Sequence, residues 1–167
     1  PIKQTSGTTS VGGTVFGGQA NSGTVENNSV AVSGGSIGHV VGGYVTSSPS
    51  AAVGTATGNS VTIDHTASDG GTTGITGDVY GGQVASGTNA VVSGNNVTIK
   101  QTSGTTSVGG IVVGGWANSG NVSSNSVTVS GGSIHSDVVG GFTSNGNVSS
   151  NSVTVSGGSI GYVGGGF

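Results

Sequence analysis

The sequence predicts an all-β fold: a right-handed parallel β-solenoid (β-helix) with about three short strands per coil and roughly six coils. Three observations predict it. First, the chain repeats itself: Asn147 to Ile160 (NVSSNSVTVSGGSI) copies Asn121 to Ile134 letter for letter, and Ile99 to Gly110 copies Ile2 to Gly13. Second, Val and Ile alternate with Ser and Thr at period two, the pattern of a strand with one buried face. Third, 38 glycines are spread over 167 residues, and each would cost a helix about 1 kcal/mol.

Two anchors define the repeat. The first, Asn-x-Val-x-Val/Ile, begins at Asn28, Asn59, Asn95, Asn125 and Asn151. It reads as a strand whose apolar residues point inward: Val30 and Val32, Val61 and Ile63, Val97 and Ile99, Val127 and Val129, Val153 and Val155. The second, Val-x-Gly-Gly, begins at Val15, Val40, Val79, Val112 and Val138, with a sixth copy at Val163. Its valines Val40, Val79, Val112 and Val138 are expected in the same core. A weaker third strand precedes each Asn by three residues, at Val25, Ala56, Val92, Val122 and Val148.

One unit cannot bury its Val face alone, so units must stack and pair each strand with its equivalent above and below. The Asn-to-Asn spacings of 31, 36, 30 and 26 residues then require the surplus to bulge at corners. Stacking would line up Asn28, Asn59, Asn95, Asn125 and Asn151 as an amide ladder inside a turn. The chain is read as one segment over 1–167, with units at approximately 1–27 (partial), 28–58, 59–94, 95–124, 125–150 and 151–167 (partial). An antiparallel sandwich is the structural alternative, weakened by the identity of the units. Disorder is the compositional alternative, opposed by the recurring β-branched residues.

The glycine pair either turns the backbone at positive φ or lets adjacent coils approach where a side chain would clash. Bulk is exchanged around it. Where the x residue is aromatic (Phe16, Tyr80), Gln19 or Gln83 follows the pair; elsewhere Tyr44, Trp116, Phe142 or Phe167 follows. These rings either close the end of the core or form a sugar-binding platform, with Tyr44, Trp116 and Phe142 as surface-contact candidates.

Charge excludes several functions. Only 4 % of residues are charged, with two Lys and no Arg, so neither phosphate backbones nor anionic membranes find cations here. Nucleic acid is not an expected partner, and no apolar run in this window is long enough to span a bilayer. Cys is absent, which removes disulfides and thiolate metal sites.

Catalysis would need clustered carboxylates with basic partners. Asp64, His65 and Asp69 form the one local concentration, on the Asp64 to Gly77 insertion, which reads as a solvated loop. Asp78, Asp137 and His39 share the slot before the second anchor, an outward site tolerant of opposite chemistries. The calcium-solenoid and phosphate-loop spacings do not occur. No catalytic residue, cofactor or metal site is therefore expected. Ser33, Asp64, Lys100, Ser130 and Ser156 should form an outward column, making Asp64 and Lys100 exposed neighbours.

The segments NSVTVSGGSI, GDVYGGQ and GHVVGGY, joined by Ser/Gly/Asn turns, resemble repeats of bacterial type V autotransporter adhesin passengers along the whole chain. The resemblance implies secretion to the bacterial cell surface, a β-solenoid stalk and a role in adhesion or fibre building. It supplies no binding residues. Pro1-Ile2-Lys3 aligns with Thr98-Ile99-Lys100, so a piece of a longer array, or a unit continued by end-to-end neighbours, is expected. The functional expectation is a non-enzymatic extracellular structural or adhesive repeat protein. Its partners would be copies of itself, end to end or side by side, or a glycan or host-surface ligand. The alternatives are an ice-binding solenoid, suggested by Ser60-x-Thr62, Ser126-x-Thr128 and Ser152-x-Thr154, and a glycan-cleaving β-helix enzyme.

Overall fold

The β-branched residues that alternate with hydroxyls settle into strands, where their stiff side chains pack well on a pleated surface. The structure is a computed structural model that describes residues 9–46, 53–66 and 70–167. Its strands are β1 (Ser10–Ala20), β2 (Thr24–Glu26), β3 (Ser29–Val32), β4 (Gly35–Val45), β5 (Thr55–Thr57) and β6 (Ser60–His65). Next come β7 (Thr72–Ile75), β8 (Val79–Val84), β9 (Ala90–Ser93), β10 (Asn96–Gln101), β11 (Thr105–Val108) and β12 (Val112–Ala117). The last four are β13 (Gly120–Ser123), β14 (Ser126–Thr143), β15 (Val148–Ser149) and β16 (Ser152–Gly164). Among the described residues there is no helix, and the pairings run parallel. That direction removes the antiparallel sandwich.

Hydrogen bonding closes β4, β8, β12, β14, β11 and β7 into a ring of six parallel strands, with β10, β6 and β3 extending from β14 and β1 and β16 attached outside. A separate sheet joins β2, β5, β9, β13 and β15. The ring closes because long strands serve more than one row. In β4, Gly35 to Ile37 pairs with β7, and Val40 to Val45 pairs with β8. In β14, successive stretches pair with β10, β11 and β12.

Four rows of equivalent strands result, one more than the three expected per unit. The Asn row is β3, β6, β10 and the starts of β14 and β16; Val30, Val61, Val97, Val127 and Val153 occupy one register position along it. The glycine row holds the second anchor of each unit, and the short row is the five-stranded sheet. The additional row carries Val11, Ile37, Ile75, Val108, Ile134 and Ile160 in register. Its members lie in text that reads as turn (GGSI, TTGI, TTSV), with one inward apolar residue each, too few to show a period.

Two apolar clusters fill the interior. The larger unites the Asn, Ile and glycine rows around Val32, Ile37, Val40, Ile63, Val79, Ile99, Val112, Val129 and Val138. The smaller packs Val25, Ala56, Val92 and Val122 of the short row against Val45, Val84 and Ala117. Val30, Val61, Val97 and Val127 are also buried. Val153 is only partly buried, and Val155, expected inside, is 45 % exposed. Both sit on β16, the outermost strand of its row, which has a neighbour on one side only.

The link from the short row to the Asn row is constant. Two residues separate the strands in every unit: Asn27-Asn28, Gly58-Asn59, Gly94-Asn95, Ser124-Asn125 and Ser150-Asn151. The first of each pair is left-handed, with φ of 56°, 62°, 62°, 56° and 55°. Only Gly accepts that conformation freely; other L-residues incur a cost of about 1–2 kcal/mol. The other corners differ in length from unit to unit.

Candidate binding surface and the asparagine waist

The five Asn side chains stand between the two apolar clusters. Asn28, Asn59, Asn95 and Asn125 each donate their backbone N–H and their Nδ2 to Oδ1 of the next Asn along the stack, at 2.9–3.1 Å. The second Nδ2 proton goes to a short-row carbonyl: Asn59 to Val25, Asn95 to Ala56, Asn125 to Val92 and Asn151 to Val122. Asn59, Asn95 and Asn125 are fully buried, and each amide is satisfied, as a buried polar group must be.

The glycine pair faces this ladder across the interior. A Cβ on Gly18, Gly82, Gly115 or Gly141 would lie 2.5–2.6 Å from amide atoms of Asn28, Asn95, Asn125 or Asn151, and one on Gly43 would overlap Asn59. A Cβ on Gly17, Gly42, Gly81 or Gly114 would overlap the first-glycine carbonyl of the adjacent unit. None of these glycines has a positive φ. Close approach, not turning, is therefore why two glycines recur: they form a waist that pinches the interior into two chambers.

The same pair shapes the outer surface. Val40 and Val45 both lie in apolar clusters although five residues apart, so strict alternation breaks between them. Consequently the residues on either side of the pair both face outward. They build two adjacent columns in register: Phe16, Val41, Tyr80, Val113 and Val139, beside Gln19, Tyr44, Gln83, Trp116 and Phe142. Val41, Val113 and Val139 belong to neither cluster but are only 3 %, 1 % and 8 % exposed. Neighbouring rings cover them, which accounts for the exchange of bulk. Tyr44, Trp116 and Phe142 remain half-buried.

Two clefts lie along these columns. One, of about 280 Å³, is lined by Phe16, Tyr44, Tyr80, Gln83, His39 and Asp78, among others. The other, of about 350 Å³, includes Trp116, Phe142, Val139, Asp137, Tyr162 and Phe167. Phe16 and Tyr44 have ring centroids 5.2 Å apart at 33°, and Tyr162 and Phe167 are similarly arranged at 5.8 Å. Burial, then the negative charge and hydrogen bond of Asp78, push the Tyr80 hydroxyl up to about 12. Asp78 also accepts the Ile111 N–H through Oδ1 at 3.0 Å. The Asp78 N–H donates to His39 Nδ1 at 2.9 Å. That nitrogen is therefore an acceptor with the ring proton on Nε2, and its 3.8 Å approach to Asp78 Oδ2 is not an ion pair.

The Asp64 and His65 corner differs from expectation. Lys100 is the register partner of Asp64, with Nζ 3.7 Å from Oδ2, but Asp64 is 4 % exposed and His65 1 %. The segment after β10 folds over them: Thr102 donates its N–H to Asp64 Oδ1 at 2.8 Å and its hydroxyl to Oδ2 at 2.7 Å. His65 meets the Thr73 hydroxyl through Nδ1 at 3.1 Å and donates its N–H to Thr106 Oγ1 at 3.1 Å. Part of the presumed solvated loop is β7, whose Thr73 and Ile75 are buried. Asp69 and Lys3 lie outside the described residues. Among the described residues no three His, Asp or Glu side chains converge in a way that could hold a metal ion. Comparison with protein-family models, with curated proteins and with solved structures gives no match for this chain.

Proposed function

We propose that the chain is a right-handed parallel β-solenoid segment and that it acts as a non-enzymatic structural or adhesive element at a bacterial cell surface. The observation that carries this reading is the register. Each unit pairs with the equivalent stretch of the next, so that the Val30, Val61, Val97, Val127 and Val153 positions and the five Asn positions form unbroken columns. A right-handed coil follows from the handedness of parallel crossovers. Such a stack is stiff, because every unit is hydrogen-bonded to its neighbours along four rows, and it rises about 4.8 Å per unit. It holds outward residues at a fixed pitch, so weak contacts to a glycan, a host surface or another copy add through avidity.

The test is attachment under flow. Beads coated with the purified chain should hold to glycan-bearing cells against shear that removes uncoated beads, and the chain should give a β-sheet circular-dichroism spectrum with slow exchange of its backbone amides. Beads that detach like uncoated ones would remove the adhesive assignment; a disordered spectrum with fast-exchanging amides would remove the solenoid.

A second reading, ice binding, is favoured by one observation. Thr62, Thr98, Thr128 and Thr154 occupy a single register column beside Ser60, Asn96, Ser126 and Ser152. Thermal hysteresis in a freezing assay would establish it, and its absence would discard it.

A further inference from the structure

We infer that the outer surface of the glycine row is a binding track for a neutral, unbranched glycan laid along the stacking axis. This deepens the adhesive reading and rests on it for its setting, though not for its chemistry. Three features point to that ligand. Successive units each place an aromatic ring on this face: Phe16, Tyr44, Tyr80, Trp116 and Phe142 in turn. The rings advance by one strand spacing, about 4.8 Å, close to the length that one pyranose adds to an extended chain. Consecutive sugars can thus each set a C–H face against a ring, as apolar matter does on aromatic faces.

Hydrogen-bonding groups flank the rings. Asp78, His39 and Gln83 line the cleft with Phe16, Tyr44 and Tyr80, and Asp137 stands beside Trp116 and Phe142 in the other. Apolar platforms with a few fixed polar groups are what an oriented small-molecule site requires. A mere lid over Val41 and Val113 would need none of these polar side chains.

Charge selects the class of glycan. The charged side chains lining the two clefts are the carboxylates Asp78 and Asp137, while Lys100 lies on the Asn row against Asp64. An acidic polysaccharide would meet like charge, so the track suits a neutral one.

The experiment titrates the chain with cellohexaose, maltohexaose and polygalacturonate, following Trp116 fluorescence and calorimetry. A neutral hexaose should bind saturably and alter Trp116 emission. Tyr44→Ala and Trp116→Ala should each weaken binding about tenfold, the weight of one stacked ring, with unchanged circular dichroism. Trp116→Phe should retain most of the affinity, and Tyr44→Leu replaces Tyr44→Ala if the latter fails to fold. Failure of both neutral hexaoses to bind, tighter binding of polygalacturonate, or indifference to ring removal would overturn the inference. Beads that adhere equally well to enzymatically deglycosylated cells would also overturn it, in favour of a protein partner. If coated beads adhere while no oligosaccharide binds, only this inference fails; if a hexaose binds while beads do not adhere, only the adhesive reading fails.

Discussion

Replacing Asn95 by Ala tests the waist at its centre. The side chain makes four hydrogen bonds: Oδ1 accepts the Asn59 N–H at 3.0 Å and Asn59 Nδ2 at 2.9 Å, and Nδ2 donates to Ala56 O at 2.8 Å and Asn125 Oδ1 at 2.9 Å. At about 1 kcal/mol net each, their loss removes about 4 kcal/mol. The Asn59 N–H is left buried without its acceptor, which adds about 1–3 kcal/mol. The expected loss is therefore about 5 kcal/mol or more, comparable with the whole stability of a small domain. Asn28 at the edge of the ladder supplies the control. Its Nδ2 donates to Glu26 O and Asn59 Oδ1, each at 3.0 Å, and the site is partly open to solvent, so Asn28→Ala should cost about 1–2 kcal/mol. Urea denaturation followed by circular dichroism measures both. If Asn95→Ala loses no more than Asn28→Ala, the amide column is not what holds the two chambers together.

Other substitutions probe the same frame. Gly115→Ala places a Cβ 2.5 Å from Asn125 Cγ and should destabilise by about 1–3 kcal/mol, the usual range for overpacking, whereas Gly12→Ala meets nothing within 4 Å and should leave the urea midpoint near wild type. Ser124 sits at φ 56°, so Ser124→Gly should raise stability by up to about 1 kcal/mol, read as a higher thermal midpoint. Alkaline titration at the phenolate absorbance band should show one tyrosine ionising near 12, and Asp78→Asn should bring that ionisation down. Because the folded-state value of Tyr80 is raised, its contribution to stability is complete below pH 10 and is lost as pH rises through about 12.

The repeat was readable because alternation and spacing are local properties. Val61, Val97 and Val127 announce an inner face, and the recurrence of Asn ahead of them announces a shared turn. What eluded that reading depends on contacts between distant segments. Ile37 and Ile134 are the single inward apolar residues of stretches that read as turns, although each lies within a long strand. Asp64 and His65 look solvated because their burial is supplied by Thr102 and Thr106, some forty residues on. The alternation of Phe16 and Tyr80 with Tyr44 and Trp116 was visible as an exchange of bulk. Its cause was not, since it needs the break in alternation at the glycine pair that turns both positions outward.

The two-residue link ahead of each Asn never varies, whereas the run joining the glycine row to the short row stretches from two residues after Ala117 to five after Val84. The corner that sets the amides is thus the one of constant length. Foreign peptides spliced in after Ala117 or Ala20 should be carried as external decorations on an undisturbed shaft, whereas one added residue between Ser123 and Ser126 would throw every later amide out of line.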